Sequence, residues 1–288
     1  MPGRSNLRLV IAAVAILAAI AVGITAVWSV ADSISTWSFA PVLSGLKLSR
    51  QPVRTTRKVL AVRNPRSVVI ASTFGDVDVT TAKVARLHLS WSVPGRPHTA
   101  LAIRQSPGYV ELDFTPPDTA VMTGDEDVLD VTLPAGLAVR VDTDSGDVYS
   151  RGQYGELRAT SDSGDLHVTD FRGVLSANTD SGDLDVQDAV ADGQLTLASD
   201  SGDVSFSGDP GLAAGVETDS GDVDMAIRPG GRLQLQVQVD SGGVSSTLSP
   251  LASNADGTEF SGRVGQGSPG RLDIVTSSGD VSLEPWQQ

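Results

Sequence analysis

The chain has 288 residues, a formal net charge of -14, no cysteine and 5% aromatic residues. These exclude a disulfide frame, a Cys-ligated zinc site and a thiol nucleophile, and the charge disfavours a nucleic-acid partner. The charge is also divided, because residues 1–66 hold nine Lys or Arg against one acid, Asp32, and the rest hold twelve basic against thirty-four acidic residues.

Leu9 to Ala31 runs for 23 residues without a charge, enough at about 1.5 Å per helical residue to span roughly 30 Å of hydrocarbon. Residues 1–31 therefore read as an N-terminal transmembrane anchor. A cleaved signal peptide is the rival, with Arg4 and Arg8 as its basic region and Ser29-Val30-Ala31 as its cleavage site. The apolar run exceeds the roughly 7–15 residues of such a segment, which favours a retained helix. The positive charge before the helix puts the N-terminus in the cytoplasm and the bulk of the chain outside, as a single-pass cell-membrane protein. Residues 32–56 read as a juxtamembrane linker with Pro41, Gly45 and Pro52, and basic residues gather at Arg50, Arg54, Arg57 and Lys58. That basic stretch reads as a solubilising segment or one packed on the acidic body, with contact to anionic lipid or wall polymer as the functional alternative.

From residue 57 to 288 a repeat dominates. Aligned on Gly75, Gly146, Gly164, Gly182, Gly202, Gly221, Gly242 and Gly279, the five intervals from Gly146 to Gly242 are 18, 18, 20, 19 and 21 residues. Such a period belongs to stacked coils. Seven and five residues before each glycine stand Val68/Ile70, Val139/Val141, Leu157/Ala159, Leu175/Ala177, Leu195/Leu197, Ala214/Val216, Leu235/Val237 and Leu272/Ile274, and two after it Val or Leu in every copy. Alternation on both sides of a turn predicts two short strands per coil, each with one buried face. A unit of this size cannot bury that face alone, whereas stacked copies make a continuous apolar column. The expected fold is all-β, a β-solenoid of parallel β-helix type with about 18–21 residues per coil and one N-terminal transmembrane helix. Ser or Thr stands three before the glycine in all copies but one, where Val239 replaces it. These hydroxyls are placed to cap turn groups or to form a ladder with one another. Residues 57–138 read as irregular coils capping one end, and 139–288 as the regular coils, with a loop at "SPLASNADGTEF" and a last coil closing at "VSLEP".

The "FGDVDV" at Phe74, the "VTLPAGLAVRVDTDSGDV" block at Val131 and the serial Ser-Gly-Asp turns ending in "TSSGDVSL" resemble the bacterial DUF4097 family. That family is built of β-strand repeats and carries a provisional adhesin label. The resemblance covers residue 57 to the end and implies an envelope-associated solenoid without known catalysis. It carries over no active residue.

The corners hold the candidate site. An Asp precedes Ser-Gly and another follows it at Asp144/Asp147, Asp162/Asp165, Asp180/Asp183, Asp200/Asp203 and Asp219/Asp222. Two unit charges at about 4 Å repel by roughly 1 kcal/mol in water, so stacked carboxylates need relief. One reading is turn chemistry, in which Asp accepts turn amides and Gly supplies a positive φ. Another is a ladder of weak Ca²⁺ sites using these ten carboxylates, with no other cofactor expected. A third is a surface for a cationic partner. His88, His98 and His167 have no metal-ligand spacing with one another, and no Gly-x-Ser-x-Gly elbow occurs. No catalytic residue is assigned and no enzyme is expected. The functional expectation is a membrane-anchored surface adhesion, interaction or scaffold module with a protein or glycan partner. Its alternatives are a sensor or regulator of an envelope-stress signalling partner and a calcium-binding, polymerising scaffold. No feature of the spacing sets an oligomeric state.

Overall fold

The computed structural model describes residues 53–62, 65–94, 100–115, 127–228, 232–248, 250–266 and 269–286. The predicted anchor at 9–31 lies outside them, and among them no helix is long and apolar enough to cross a membrane.

The described residues form strands throughout. In chain order these are β1 (Val53–Leu60), β2 (Ser67–Phe74), β3 (Asp76–Ala82), β4 (Leu87–Pro94), β5 (Leu101–Ser106), β6 (Tyr109–Phe114), β7 (Val128–Pro134) and β8 (Ala138–Ser145). Three long strands follow, β9 (Val148–Ser163), β10 (Leu166–Ser181) and β11 (Leu184–Ser201). Then come β12 (Val204–Asp209), β13 (Ala213–Ser220), β14 (Val223–Ile227), β15 (Arg232–Ser241) and β16 (Val244–Ser246). The chain ends with β17 (Ala252–Ser253), β18 (Glu259–Val264), β19 (Pro269–Ser278) and β20 (Val281–Pro285). Strand β1 starts inside the stretch read as linker.

Each coil carries one strand into its corner glycine and one out of it, and successive coils pair in parallel with the glycines in register. Val139 lies beside Leu157, Leu175 beside Leu195, and Val204 beside Val223. The period-two pattern sets this register, since a slip of one residue would turn every inward Val or Leu to water. All sixteen apolar residues seven and five before the glycines are buried. Of those two after it, only Val244 is merely partly buried, and it lies on the last rung.

Chain order governs only the middle of the stack. Strands entering the corners lie in the order β5, β6, β2, β8, β9, β10, β11, β13, β19, β15, β18, β17. Strands leaving them lie in the order β1, β4, β7, β3, β9, β10, β11, β12, β14, β20, β16. The β6–β7 coil thus lies outside β2–β3, and the β15–β16 coil lies outside β19–β20. Chain order would put the Gly242 coil between those of Gly221 and Gly279, with the Gly279 coil closing the stack. Instead the final coil is inserted between its two predecessors. Antiparallel strands β1, β4 and β5 close one end, and β17 and β18 cover β15 at the other, where a bare strand edge would invite pairing.

The corner glycines are required for space. A Cβ on Gly146, Gly164, Gly182 or Gly202 would fall far inside van der Waals contact with the carbonyl oxygen of the preceding corner glycine. These four do not have positive φ. The expectation that Gly serves here by adopting positive φ is therefore corrected at these four corners, where rungs about 4.8 Å apart leave no room for a side chain, and it holds at Gly75, Gly221, Gly242 and Gly279, with φ of 98°, 158°, 146° and 156°.

At the opposite corner the strands bend continuously through β9, β10 and β11. Asp170 and Asp188 take positive φ there, at 49° and 52°, and the register shifts across the bend. Phe171 and Tyr154 fill the inside, their rings 5.8 Å apart. The buried Tyr154 hydroxyl donates to the Val79 carbonyl at 2.8 Å. Burial pushes its pKa up, so the ring stays neutral.

Candidate functional site: the aspartate corners

The second Asp of each corner forms one continuous ladder. The amide of Asp147 donates to Asp76 Oδ1 at 3.0 Å, and that of Asp165 to Asp147 Oδ1 at 3.0 Å. Asp183 donates to Asp165 and Asp203 to Asp183, both at 2.9 Å. Asp222 donates to Asp203, Asp280 to Asp222, and Gly243 to Asp280, all at 2.8 Å. Each carboxylate therefore has one oxygen fixed by the amide of the next rung. That charge-assisted bond opposes the repulsion along the row.

The ladder also accounts for the inverted order of the last two coils. Gly243 has no carboxylate to offer, so in chain order it would leave the Asp280 amide without its acceptor. On the outermost rung Gly243 only donates, and no further amide needs a carboxylate. The backbone repeats the same logic, with Leu166 N donating to Asp183 O, Leu184 N to Asp203 O and Val223 N to Asp280 O, each at 2.9 Å.

The hydroxyls three before the glycine point inward. Thr179, Ser199 and Thr218 donate to the carbonyls of Gly164, Gly182 and Gly202 at 3.3, 3.1 and 3.3 Å. These three cap the neighbouring corner, whereas the buried hydroxyls of Thr143, Ser161 and Thr276 have no hydrogen-bond partner among the described residues.

The first Asp of each corner forms a separate row. Asp144, Asp162, Asp180, Asp200 and Asp219 are all exposed. Of the second row, Asp147, Asp165, Asp183, Asp203 and Asp222 have Oδ1 engaged as described. Among the described residues, the group of three metal-ligating side chains whose ligand atoms all lie within 4.8 Å of one another is Asp147, Asp165 and His167. The Tyr149 ring stacks on His167, centroids 4.9 Å apart, and its hydroxyl donates to Asp147 Oδ2 at 3.2 Å. Partial burial, and then the charge of Asp147, pushes the Tyr149 pKa up to about 12. His167 Nδ1 lies 3.8 Å from Asp185 Oδ2 on the following rung. In the same outward row Asp78 has its pKa raised, chiefly by burial; the Thr80 hydroxyl at 3.2 Å opposes this and Asp130 adds to it.

Chemically, each Asp-Ser-Gly-Asp rung offers both carboxylate oxygens of the first row and one of the second that the ladder does not engage. Ca²⁺ takes six to eight oxygens, so such a row suits water-rich, exchangeable cation contacts or the ammonium and guanidinium groups of a partner. Stacking the Asp-Ser-Gly-Asp pairs makes two rows evident, but that one is bonded and the other free is not visible in the sequence. Aligning on the residue after each glycine adds Asp76 to the row that the structure shows bonded, beside Asp280. Tyr149, His167 and Asp185 share the position three after the glycine, and reading that column would have brought the isolated His167 beside its neighbours.

The ladder makes a clean distinction between charge and acceptor. Asp165→Ala, which leaves the Asp183 amide without its carboxylate, is expected to destabilise the protein by about 1–2 kcal/mol. Asp165→Asn keeps an oxygen in place and removes one repelling charge, so its melting temperature should stay within a degree or two of the parent, roughly 0.5 kcal/mol. Equal losses for both in thermal melts would show that the bond is not what the residue contributes.

The family model described as Toastrack DUF4097 matches residues 61–216, more than half of the chain. The solved structure of a provisionally named cell adhesion protein from Clostridium sporogenes ATCC 15579 is similar at 9% identity and a TM-score of 0.36, covering 81% of this chain and 100% of that one. A provisionally named adhesin from Bacteroides fragilis NCTC 9343 is similar at 12% identity and a TM-score of 0.42, covering 80% and 97%. No curated protein matches the chain.

Proposed function

This chain belongs to the Toastrack DUF4097 family, and from that premise we propose that it is a membrane-anchored, non-enzymatic module whose stacked corner face makes adhesive or scaffolding contacts outside the cytoplasmic membrane. The observation that carries the reading is the ladder itself. Seven hydrogen bonds hold one row of carboxylates in fixed orientation, from Asp76 to Asp280, beside a second row of exposed ones. A regular rigid surface of one charge sign favours extended, multivalent contact with a partner over turnover of a small substrate. The 23-residue apolar run at Leu9–Ala31 supports the anchoring.

Ca²⁺ is the second reading, favoured by the convergence of Asp147 and Asp165 at one place on the face. In this form the metal bridges the face to a partner and the protein acts as a calcium-dependent adhesin.

The test uses beads coated with the full chain and with a variant carrying Asn at Asp144, Asp162, Asp180, Asp200 and Asp219. Adhesion to intact bacterial cells and to immobilised envelope glycans is counted with Ca²⁺ and with chelator. Adhesion that falls at least tenfold in the Asn variant supports the corner face. Loss in chelator, with saturable calcium heat by calorimetry, selects the calcium form. Beads that never adhere above uncoated controls would defeat the adhesion reading.

A further inference from the structure

Strands β1 to β4 carry an excess of positive charge, beside the acidic β5–β7 coil at the same end of the stack, where residues 101–134 hold Arg104 against seven acids. Residues 53–94 hold seven basic residues against two acids, Asp76 and Asp78, and both described lysines, Lys58 and Lys83, fall there. Strand β1 is an edge strand, paired with β4 alone among the described residues. Arg57 and Lys58 on it are exposed, as are Lys83 and Arg86 in the turn leading into β4. Within the stack, Arg104, Arg140, Arg151, Arg172 and Arg271 each pair with a carboxylate. Arg57, Lys58, Lys83 and Arg86 have no ion pair among the described residues, and neither do Arg66, Arg158, Arg228, Arg232 and Arg263, but on β1 two such cations stand side by side on an edge strand. Beside β1 lies a groove of about 300 Å³ whose lining includes Arg57, Lys58, His88, Ser90, Asp130 and Thr132. Asp130 is its one carboxylate. Val59, 52% exposed, stands in the same strand.

We propose that this end is a docking surface for an anionic lipid membrane, with Arg57 and Lys58 taking headgroup phosphates and Val59 entering the interface. Among the described residues these cations lack ion pairs and stand on a strand with one open backbone edge, the makings of an anion-binding site, and each cation near an anionic membrane surface favours binding roughly fivefold. The acidic corners are repelled by the same surface, which favours an orientation with the exposed cations of β1 toward the lipid. Lipid is the occupant because β1 is the first described strand after the apolar run. Twenty-one residues separate Ala31 from Val53, a reach of at most about 75 Å. In choosing lipid, the proposal rests on the anchor reading of residues 9–31.

The chain lacks cysteine, so single cysteines at Thr55 on β1 and at Ser253 on β17 can each carry a dye. The labelled full chain is placed in neutral phosphatidylcholine vesicles and in vesicles with about 30% phosphatidylglycerol, each containing a headgroup quencher. Strong quenching at Thr55 is expected only with the anionic lipid, and none at Ser253. The R57Q/K58Q variant should lower the docking equilibrium constant roughly 25-fold, with its melting temperature unchanged, and about 0.5 M salt should weaken docking likewise. Equal quenching in both vesicles, or quenching that survives R57Q/K58Q, overturns the proposal. Release by inorganic polyphosphate at constant ionic strength overturns the lipid assignment in favour of a soluble phosphate polymer. Carbonate extraction reads the anchor separately: a chain released from both vesicles defeats the anchor, while rebinding that requires anionic lipid still supports the docking.

Discussion

Gly182→Ala is expected to destabilise the protein by about 3 kcal/mol or more, lowering its melting temperature by roughly 6–12 °C. A methyl group there would drive into the Gly164 carbonyl, with its carbon at 2.8 Å and Thr179 Oγ1 at 3.1 Å. The neighbour is backbone and cannot swing away. The strands on both sides are held by in-register pairing through β10 and β11, so relief means parting two rungs and stretching the Asp183 to Asp165 bond. Gly215→Ala provides the control, because a Cβ there meets nothing within 4 Å. It should change stability by about 0.5 kcal/mol at most. If thermal melts give the two variants the same stability, close approach of the rungs is not the reason for the glycine column.

The second expected result concerns rung order. Glu217 lies beside Val275, and Val275 beside Gln238, so Glu217 and Gln238 are separated by an intervening strand. In a chain free of cysteine, Glu217→Cys with Val275→Cys should oxidise to an intramolecular disulfide, their Cα atoms about 4.8 Å apart. Closing that 58-residue separation raises stability by up to about 4 kcal/mol in the chain-entropy account. Glu217→Cys with Gln238→Cys spans two rungs, about 9.6 Å, beyond disulfide reach. Mass spectrometry of the oxidised variants decides between them. Bridging of Glu217→Cys to Gln238→Cys but not to Val275→Cys would mean that the coils stack in chain order.

Much of this fold is legible in the residues. The apolar positions flanking each glycine specify strand direction, buried face and register, because a period of two leaves only one face to bury. The rung order is not legible in that way, since the Gly242 and Gly279 coils share the same apolar frame and either could stack on the Gly221 coil. A distinction lies in Gly243 against Asp280, and it acquires meaning only when the carboxylate is known to bond upward to the next amide. The candidate site is legible to the same depth. The Asp rows are evident from sequence, while the pairing of Tyr149 with His167 comes from residues 18 apart in the chain brought to neighbouring rungs.

The inserted final coil also changes how the molecule bears a pulling force. In a stack built in chain order, tension on the C-terminus peels the outermost strand one hydrogen bond at a time. Here β20 lies between β14 and β16, and β19 between β13 and β15. The last segment can be withdrawn only by sliding past partners on both sides, so its bonds share the load. A chain tethered at its other end would grip most firmly at the place where such tension first arrives.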